Sequence, residues 1–524
     1  MKEISSEKKF ILAIDQGTTG SRAIIFNKHG QIKASAYKEF KQYFPKPGWV
    51  EHDADEIWRS CIAVITQALR KARIQSSQIR ALGVTNQRET TVLWDRQTAK
   101  PVYHAIVWQC RRTTETCRQL KHTEKIFRYK TGLVLDPYFS GTKIKWLLDH
   151  VPGLRRRVQQ GKICFGTIDS WLIYKLTGGK SHVTDTSNAS RTLLFNIRTF
   201  KWDKELLKIL NVPSSILPKV QEPGSVFGYT TNVAGLEKGI PIAAVLGDQQ
   251  AALYGQNCFE AGTIKNTYGT GCFLVLNTGK KLVYSKHGLL STVASDDRGK
   301  SVYALEGSVF IAGAVVQWLR DQMRFFTKAS EIQDIVKKVK DTAGVYMVPA
   351  FTGLGAPYWD SQARGTITGL TRGATREHLI RAALESIAYQ TKDVFDLMQK
   401  DLGKTILELK VDGGACKNDF LMQFQADLVN ARIVRPKIIE STAWGVAQLA
   451  GLTTGLWKSK NDLKKLNSVD QTFSPSMKSE KRKQLYDGWK KAVRQTCFPK
   501  ELEEADIVTA SSKISRKAIQ TQTL

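Results

Sequence analysis

Short apolar runs along this chain repeatedly stop at small polar turns, a pattern that predicts hairpins followed by strand and helix alternation. The run FILAI, Phe10 to Ile14, leads into Asp15; Gln16, Gly17, Thr18, Thr19, Gly20 and Ser21 then form a polar tip before AIIF resumes the strand pattern up to Phe26. Two glycines let backbone N–H groups approach an anion with no Cβ in the way, and the hydroxyls add donors at the same point. An ordinary hairpin with a glycine turn reads the same way. A second copy shifts the balance: GTIKNTYGTGCFLVLNTG, Gly262 to Gly279, again carries a strand-like run to a tip at Gly269, Thr270 and Gly271. Two such hairpins half a chain apart predict related domains facing each other across a nucleotide.

Gln31 to Phe40 continues the first hairpin as a third strand. Asp53 and Glu56 stand at capping-box spacing ahead of Ile57, Cys61, Val64, Ile65, Ala68 and Ala72, an apolar helix face, and Ile79 to Thr85 reads as a buried strand. The order strand, strand, strand, helix, strand resembles the ribonuclease-H-like ATPase unit shared by actin, Hsp70 and sugar kinases. The expected fold class is therefore α/β, with two ribonuclease-H-like domains facing a central cleft. Further helices are expected at 165–176, 312–326, 376–402, 418–429 and 441–457, and strands at 289–294, 301–310 and 407–411. The domains are expected at 1–255 and 256–499, followed by a polar tail at 500–524.

Composition narrows this reading. A chain of 524 residues exceeds one hydrophobic core, and 42% apolar residues indicate a globular protein. No run approaches the ~20 apolar residues of a membrane span. Five apolar residues before Asp15 are too few for a secretory segment, so the expected location is the cytoplasm. The eight cysteines are scattered without zinc or disulfide spacing, as in a reducing compartment. The surplus of 78 Lys and Arg over 48 Asp and Glu, a net +30, attracts anions of many kinds, but no nucleic-acid-binding signature accompanies it. A basic, solvated surface is expected, with no specific nucleic-acid partner.

Several polar residues interrupt the apolar pattern where chemistry can be done. Asp15, at the end of a buried strand, is placed to meet a metal-bound water. Arg88 and Glu89 follow a strand and offer a cationic donor beside an anionic acceptor, suited to the hydroxyls of a small polyol or to a surface ion pair. Trp108 can lie against C–H faces of a substrate or join the core, and Tyr138 can bond a hydroxyl or serve packing. Asp248 follows an apolar strand and a glycine and opens a short helix; it suits an N-cap, and also a base taking the proton of an attacking alcohol, with Gln249 beside it. Gly413 and Gly414 bare the backbone to an adenine or ribose, and Asn418 can bond the nucleotide or cap the next helix.

Long stretches then identify the chain as similar to the FGGY carbohydrate kinase family, and within it to the glycerol kinases: AIDQGTTGSRA, PKPGWVEHD, GVTNQRETT, AIVWQCRR, DPYFSGTK, NASRTLLFNI, GDQQAALYGQ, KNTYGTGCF, PAFTGLGAPYWD, LESIAYQT and VDGGA. The resemblance spans Ile11 to Val493. It implies transfer of the γ-phosphate of ATP, with Mg²⁺, to a primary hydroxyl of glycerol, giving sn-glycerol 3-phosphate for glycerol catabolism and glycerolipid synthesis. It further implies that Arg88, Glu89, Tyr138, Asp248 and Gln249 hold glycerol, with Asp248 as base. Thr18, Thr19, Gly20 and Arg22 would meet the phosphates from one domain and Thr270 from the other, with Gly313, Gln317, Gly414 and Asn418 on the nucleotide side. Asp15 and Asp248 are the carboxylates expected near Mg²⁺, through water. A homo-oligomer, dimer or tetramer, is likewise implied. Two features depart: position 20 is glycine where relatives often have serine, and 232–238 lacks the glycine- and arginine-containing pattern with which some bacterial relatives bind a fructose bisphosphate inhibitor.

Overall fold

The computed structural model describes residues 8–360 and 362–497; the expected polar tail lies outside the described residues. Phe10–Gln16 and Gly20–Asn27 pair antiparallel, with Gln16 opposite Ser21 at the turn. Both faces of the first strand are buried, Leu12 and Ile14 on one side and Ile11 and Ala13 on the other. This explains the unbroken apolar run: a strand covered on both faces has no polar alternation.

The first sheet runs Gly228–Tyr229, Pro241–Gly247, Ile79–Asn86, Phe10–Gln16, Gly20–Asn27, Ile32–Glu39. The second runs Leu290–Ser295, Ser301–Val309, Cys272–Gly279, Ile264–Tyr268, Glu408–Asp412, Arg432–Pro436, Val469–Phe473. In both, a hairpin and its meander strand lie on one side, and two strands parallel to the hairpin's first strand follow on the other. The expected repeat of the ribonuclease-H-like unit is thus present, the second copy carrying one extra strand, Leu290–Ser295, at its meander edge.

The expected elements need local corrections. Asp53 caps the helix Ala54–Ala72 by accepting from the Asp55 N–H at 2.8 Å, but Glu56 accepts from the Tyr43 hydroxyl at 3.1 Å and closes no capping box. The stretch expected as helix from residue 165 divides, because Ile163–Gly166 is a strand paired with Val92–Asp95 and the helix is Ile168–Leu176. The later helices end early, at Gly313–Asp321 and Ser441–Thr453, whereas Arg376–Leu402 runs its full expected length before Gly403 at φ +70°.

Two of the contacts that join the halves lie beside the strand ends where the site is built. The helix Ser441–Thr453, from the second half of the chain, covers the outer face of the first sheet and crosses the helix Asp248–Gly255, burying Ala251, Ala443, Val446, Ala447 and Ala450. Glycines set the spacing: a Cβ on Gly445 would overlap the Ala251 carbonyl, and one on Gly255 the Ser441 carbonyl. The second contact is ionic. Glu306, wholly buried in the strand Ser301–Val309, accepts from Arg88 (2.5 and 3.0 Å) and from Arg191 (2.9 Å), both in the first half. Burial opposes its ionisation, but Arg191 and Arg88 prevail and hold the carboxyl at about 2.

Gly445→Ala is expected to destabilise the protein by about 3 kcal/mol or more, since neither helix backbone can yield to the added methyl; the urea midpoint measures it. Glu306 contributes stability in full above its unfolded pKa and loses it as pH falls toward about 2. Glu306→Gln is therefore expected to lower stability at pH 7 by about 3 kcal/mol, leaving two buried guanidiniums undercompensated, and to flatten the fall in urea midpoint below pH 4.5.

Candidate active site

The first tip closes where Gly17 N–H donates to the Gly20 carbonyl at 2.9 Å. Thr18 accepts from the Trp108 indole N–H at 2.9 Å, and Thr19 lies 3.4 Å from the Tyr37 hydroxyl. Gly20 packs beneath that ring: a Cβ there would come within 2.6 Å of the Tyr37 oxygen, which accounts for glycine at this position. Arg22 stands 5.4 Å over the same ring and pairs with Glu440, just before the helix Ser441–Thr453. Asp15 is half-buried near the end of its strand; desolvation pushes its carboxyl up to about 7 against the pull of Arg22, with Glu440 and Asp248 raising it further. No cluster of three or more His, Cys, Asp or Glu that would hold a metal occurs among the described residues. Two carboxylates suit Mg²⁺ better than a cation needing a protein cage, because Mg²⁺ keeps several waters and takes substrate phosphates as ligands.

The second tip rests on a helix start. Ala312 and Ala314 N–H groups donate to the Thr270 carbonyl at 2.8 and 3.1 Å, and Gly313 N–H donates to Gly269 at 2.9 Å. Thr270 is thereby fixed at the positive end of the helix Gly313–Asp321, with Gln317 one turn further on. A Cβ on Gly313 would approach the Gly269 carbonyl to 2.5 Å. Gly413 takes φ +85°, and a side chain there would strike the Tyr268 carbonyl, whereas at Gly414 a Cβ would meet nothing within 4 Å. Open backbone at Gly414 fits the approach of a flat ligand. Asn418 caps the helix Asp419–Val429 through Leu421 N–H at 2.9 Å, the structural one of its two expected roles.

The polyol candidates converge. Arg88 donates through Nη1 to Gln250 (3.2 Å), through Nη2 to the Tyr138 hydroxyl (3.4 Å), and lies with Nε 3.1 Å from Asp248. Glu89 accepts from Arg191 Nε at 2.6 Å and holds φ +60°, a left-handed backbone uncommon for any residue with a Cβ. Trp108 meets Tyr138 edge to face at 5.6 Å and Phe273 of the second hairpin at 6.5 Å, linking the candidate polyol group to both tips. Asp248 is the first helical residue, not the cap; Gly247 takes that position. Its Oδ1 accepts the Gln249 N–H at 2.7 Å, and its side chain is 31% exposed, the most open acid of the group. Burial raises its pKa, opposed by Arg88 and Lys265.

Five neighbours were not singled out by sequence: Arg191, Gln250, Lys265, Phe273 and Glu306. Lys265 donates to Gln249 (2.5 Å), Thr267 (2.7 Å) and the Phe273 carbonyl (3.1 Å), and burial brings its amine down to about 8, with Asp412 and Asp248 pulling the other way. Gln249 is thus oriented by a buried cation. The available signal was a charged residue inside an apolar strand pattern: Glu306 in VYALEGSVF and Lys265 in GTIKNTY. A buried charge in such a place needs a partner from elsewhere in the fold.

Comparison with known proteins identifies the family. The family model described as the FGGY family of carbohydrate kinases matches with its N-terminal domain over residues 10–255 and its C-terminal domain over 264–454. The chain is 57% identical to a glycerol kinase of Geobacillus sp. over 491 residues, 93% of this chain and 99% of that protein. It is 58% identical to one of Caldanaerobacter subterraneus over 490 residues, 93% and 98% of the two chains. The crystal structure of Plasmodium falciparum glycerol kinase with ADP superposes with a TM-score of 0.87 at 38% identity, covering 94% of this chain and 99% of that one. With both family domains matched in order and the paired hairpins in place, the chain belongs to the FGGY family of carbohydrate kinases.

Proposed function

We propose that this chain transfers the γ-phosphoryl group of ATP to a primary hydroxyl of glycerol, yielding sn-glycerol 3-phosphate. The observation that carries the reading is the convergence of Arg88, Glu89, Tyr138, Trp108, Asp248 and Gln249 beside the two glycine tips. Identity of 57% to a glycerol kinase over nearly the whole chain supports the choice of substrate. Arg88 and Glu89 supply a donor and an acceptor for neighbouring hydroxyls, and the Trp108 and Phe273 rings face the carbon chain. Asp248 takes the proton of the attacking hydroxyl: burial raises its pKa, which makes it a better base than an exposed aspartate, while Arg88 and Lys265 favour its ionised form.

Phosphoryl transfer depends on alignment and on neutralising charge rather than on covalent help from the protein. Thr18, Thr19 and Gly20 hold the phosphates from one side and Thr270 from the other. Arg22 approaches from the first domain, and Gly313, Gln317, Gly414 and Asn418 lie toward the nucleoside. Mg²⁺ bound with the nucleotide would be held through water by Asp15 and Asp248, and it neutralises phosphate charge. Domain closure about the crossed glycine helices aligns the two halves. The cytoplasm is the compartment that suits eight free thiols, seven of them buried. No helix among the described residues is long and apolar enough to cross a membrane.

Glycerol-dependent ADP release, compared with release on dihydroxyacetone, xylulose and erythritol, tests the substrate; a preference for one of the latter would replace glycerol in the reading. Asp248→Asn is expected to lower kcat by about 10²-fold or more while leaving ADP affinity and the urea midpoint close to wild type. Normal turnover would remove Asp248 as the base. Glu89→Ala is expected to raise the KM for glycerol by about 10- to 100-fold, the loss of a hydrogen bond to a charged acceptor, with ADP affinity in calorimetry unchanged.

A further inference from the structure

The first tip can present N–H groups to phosphate only if its carbonyl oxygens are turned away, and side-chain amides behind it do the turning. Gly17 O accepts from the amides of Gln16 (2.7 Å) and Gln87 (3.2 Å), and Thr18 O accepts from that of Gln42 (3.0 Å). Thr19 O accepts from the Phe40 N–H at 3.3 Å. Among the described residues, no acceptor meets the N–H of Thr18 or Thr19. Such a cradle works only while each glutamine shows its NH₂ end to the tip, because a flipped amide would set oxygen against oxygen.

One buried side chain touches both distal glutamines. His52 is wholly inaccessible, with its Nε2 2.6 Å from Gln42 Oε1 and its Nδ1 3.4 Å from the Gln87 amide nitrogen. Gln42 Nε2 is fixed by two carbonyls, Thr18 and Phe40, so its oxygen must accept and His52 Nε2 must carry the proton. Nδ1 is then a bare acceptor facing the Gln87 NH₂, whose oxygen in turn accepts from the Thr90 hydroxyl at 2.9 Å. The Phe40 ring closes the remaining side, edge to face at 5.0 Å, and burial keeps the imidazole neutral by lowering its pKa to about 3. A neutral histidine with one donor and one acceptor is the group that satisfies both amides at once.

We propose that His52 is a positioning residue for the nucleotide phosphates: by fixing which end of the Gln42 and Gln87 amides faces the tip, it keeps carbonyls 17 and 18 turned inward and the N–H groups of Thr18 and Thr19 outward. Neither His52 nor Gln42 touches the reacting atoms. The inference rests on the tip being a phosphate site, as the proposed function has it, and extends that reading to the residues behind it.

Calorimetry on the full chain with the Mg²⁺ complex of the β,γ-imido analogue of ATP tests the idea, with AMP and glycerol as control ligands. His52→Leu and Gln42→Met are each expected to weaken analogue binding by about tenfold, the worth of one hydrogen bond to a well-placed group. The double variant is expected to lose no more than His52→Leu alone, because Gln42 is one of the two amides through which His52 acts. AMP, which lacks the β- and γ-phosphates, and glycerol should bind each variant as they bind wild type. Wild-type analogue affinity in either folded variant, losses that multiply in the double, or equal loss of all three ligands would overturn the proposal. Should His52→Leu fail to fold, Gln42→Met alone decides by the same criteria. Failure of the wild type to bind the analogue would instead sink the phosphate reading of the tip.

Discussion

Two guanidiniums and two carboxylates share one dry site where the sheets meet, and the remaining architecture is arranged to keep that site neutral. Glu306 takes both forks of Arg88 and one of Arg191, and Glu89 takes the other Arg191 donor. Removing four charges from water is costly, and mutual pairing with good hydrogen-bond geometry offsets the cost only when all four are present. The cluster therefore ties a strand of the second sheet to the loop after a strand of the first. It also immobilises Arg88 and Glu89, the residues assigned to glycerol, before any ligand arrives. A binding group already held in place loses little freedom when substrate binds.

The two tips solve the same electrostatic problem by different means. Backbone that is to receive an anion must hide its carbonyl oxygens. In the second hairpin a helix start does this, since the first N–H groups at Gly313–Asp321 have no partner within the helix and donate to the tip's carbonyls instead. In the first hairpin no helix begins behind the turn, and the glutamines at 16, 42 and 87 take over the task with His52 behind them. Glycine is needed where the second tip's support comes closest, at Gly313 against the Gly269 carbonyl.

The crossing of Asp248–Gly255 with Ser441–Thr453 binds the two halves of the chain at backbone distance. The helix that carries Asp248 is in backbone contact with a helix from the other half of the chain, at Gly255 and Gly445. Arg22, paired with Glu440 just before that second helix, couples the first tip to the same element.

Local pattern in the sequence determined the strands and most helices, because apolar periodicity and glycine turns are properties of neighbouring residues: both hairpins, the long helix Arg376–Leu402 and the duplicated α/β unit were all legible. Arg88, Glu89, Tyr138 and Asp248 were legible too, as polar residues interrupting apolar runs. Three things were decided only by the tertiary structure. Glu306 became the partner of Arg88 across 218 positions, Lys265 became the anchor of Gln249, and His52 came to stand behind a turn more than thirty residues away. Each is a buried polar group whose role depends on what folding brings against it, and no window of sequence contains that neighbour.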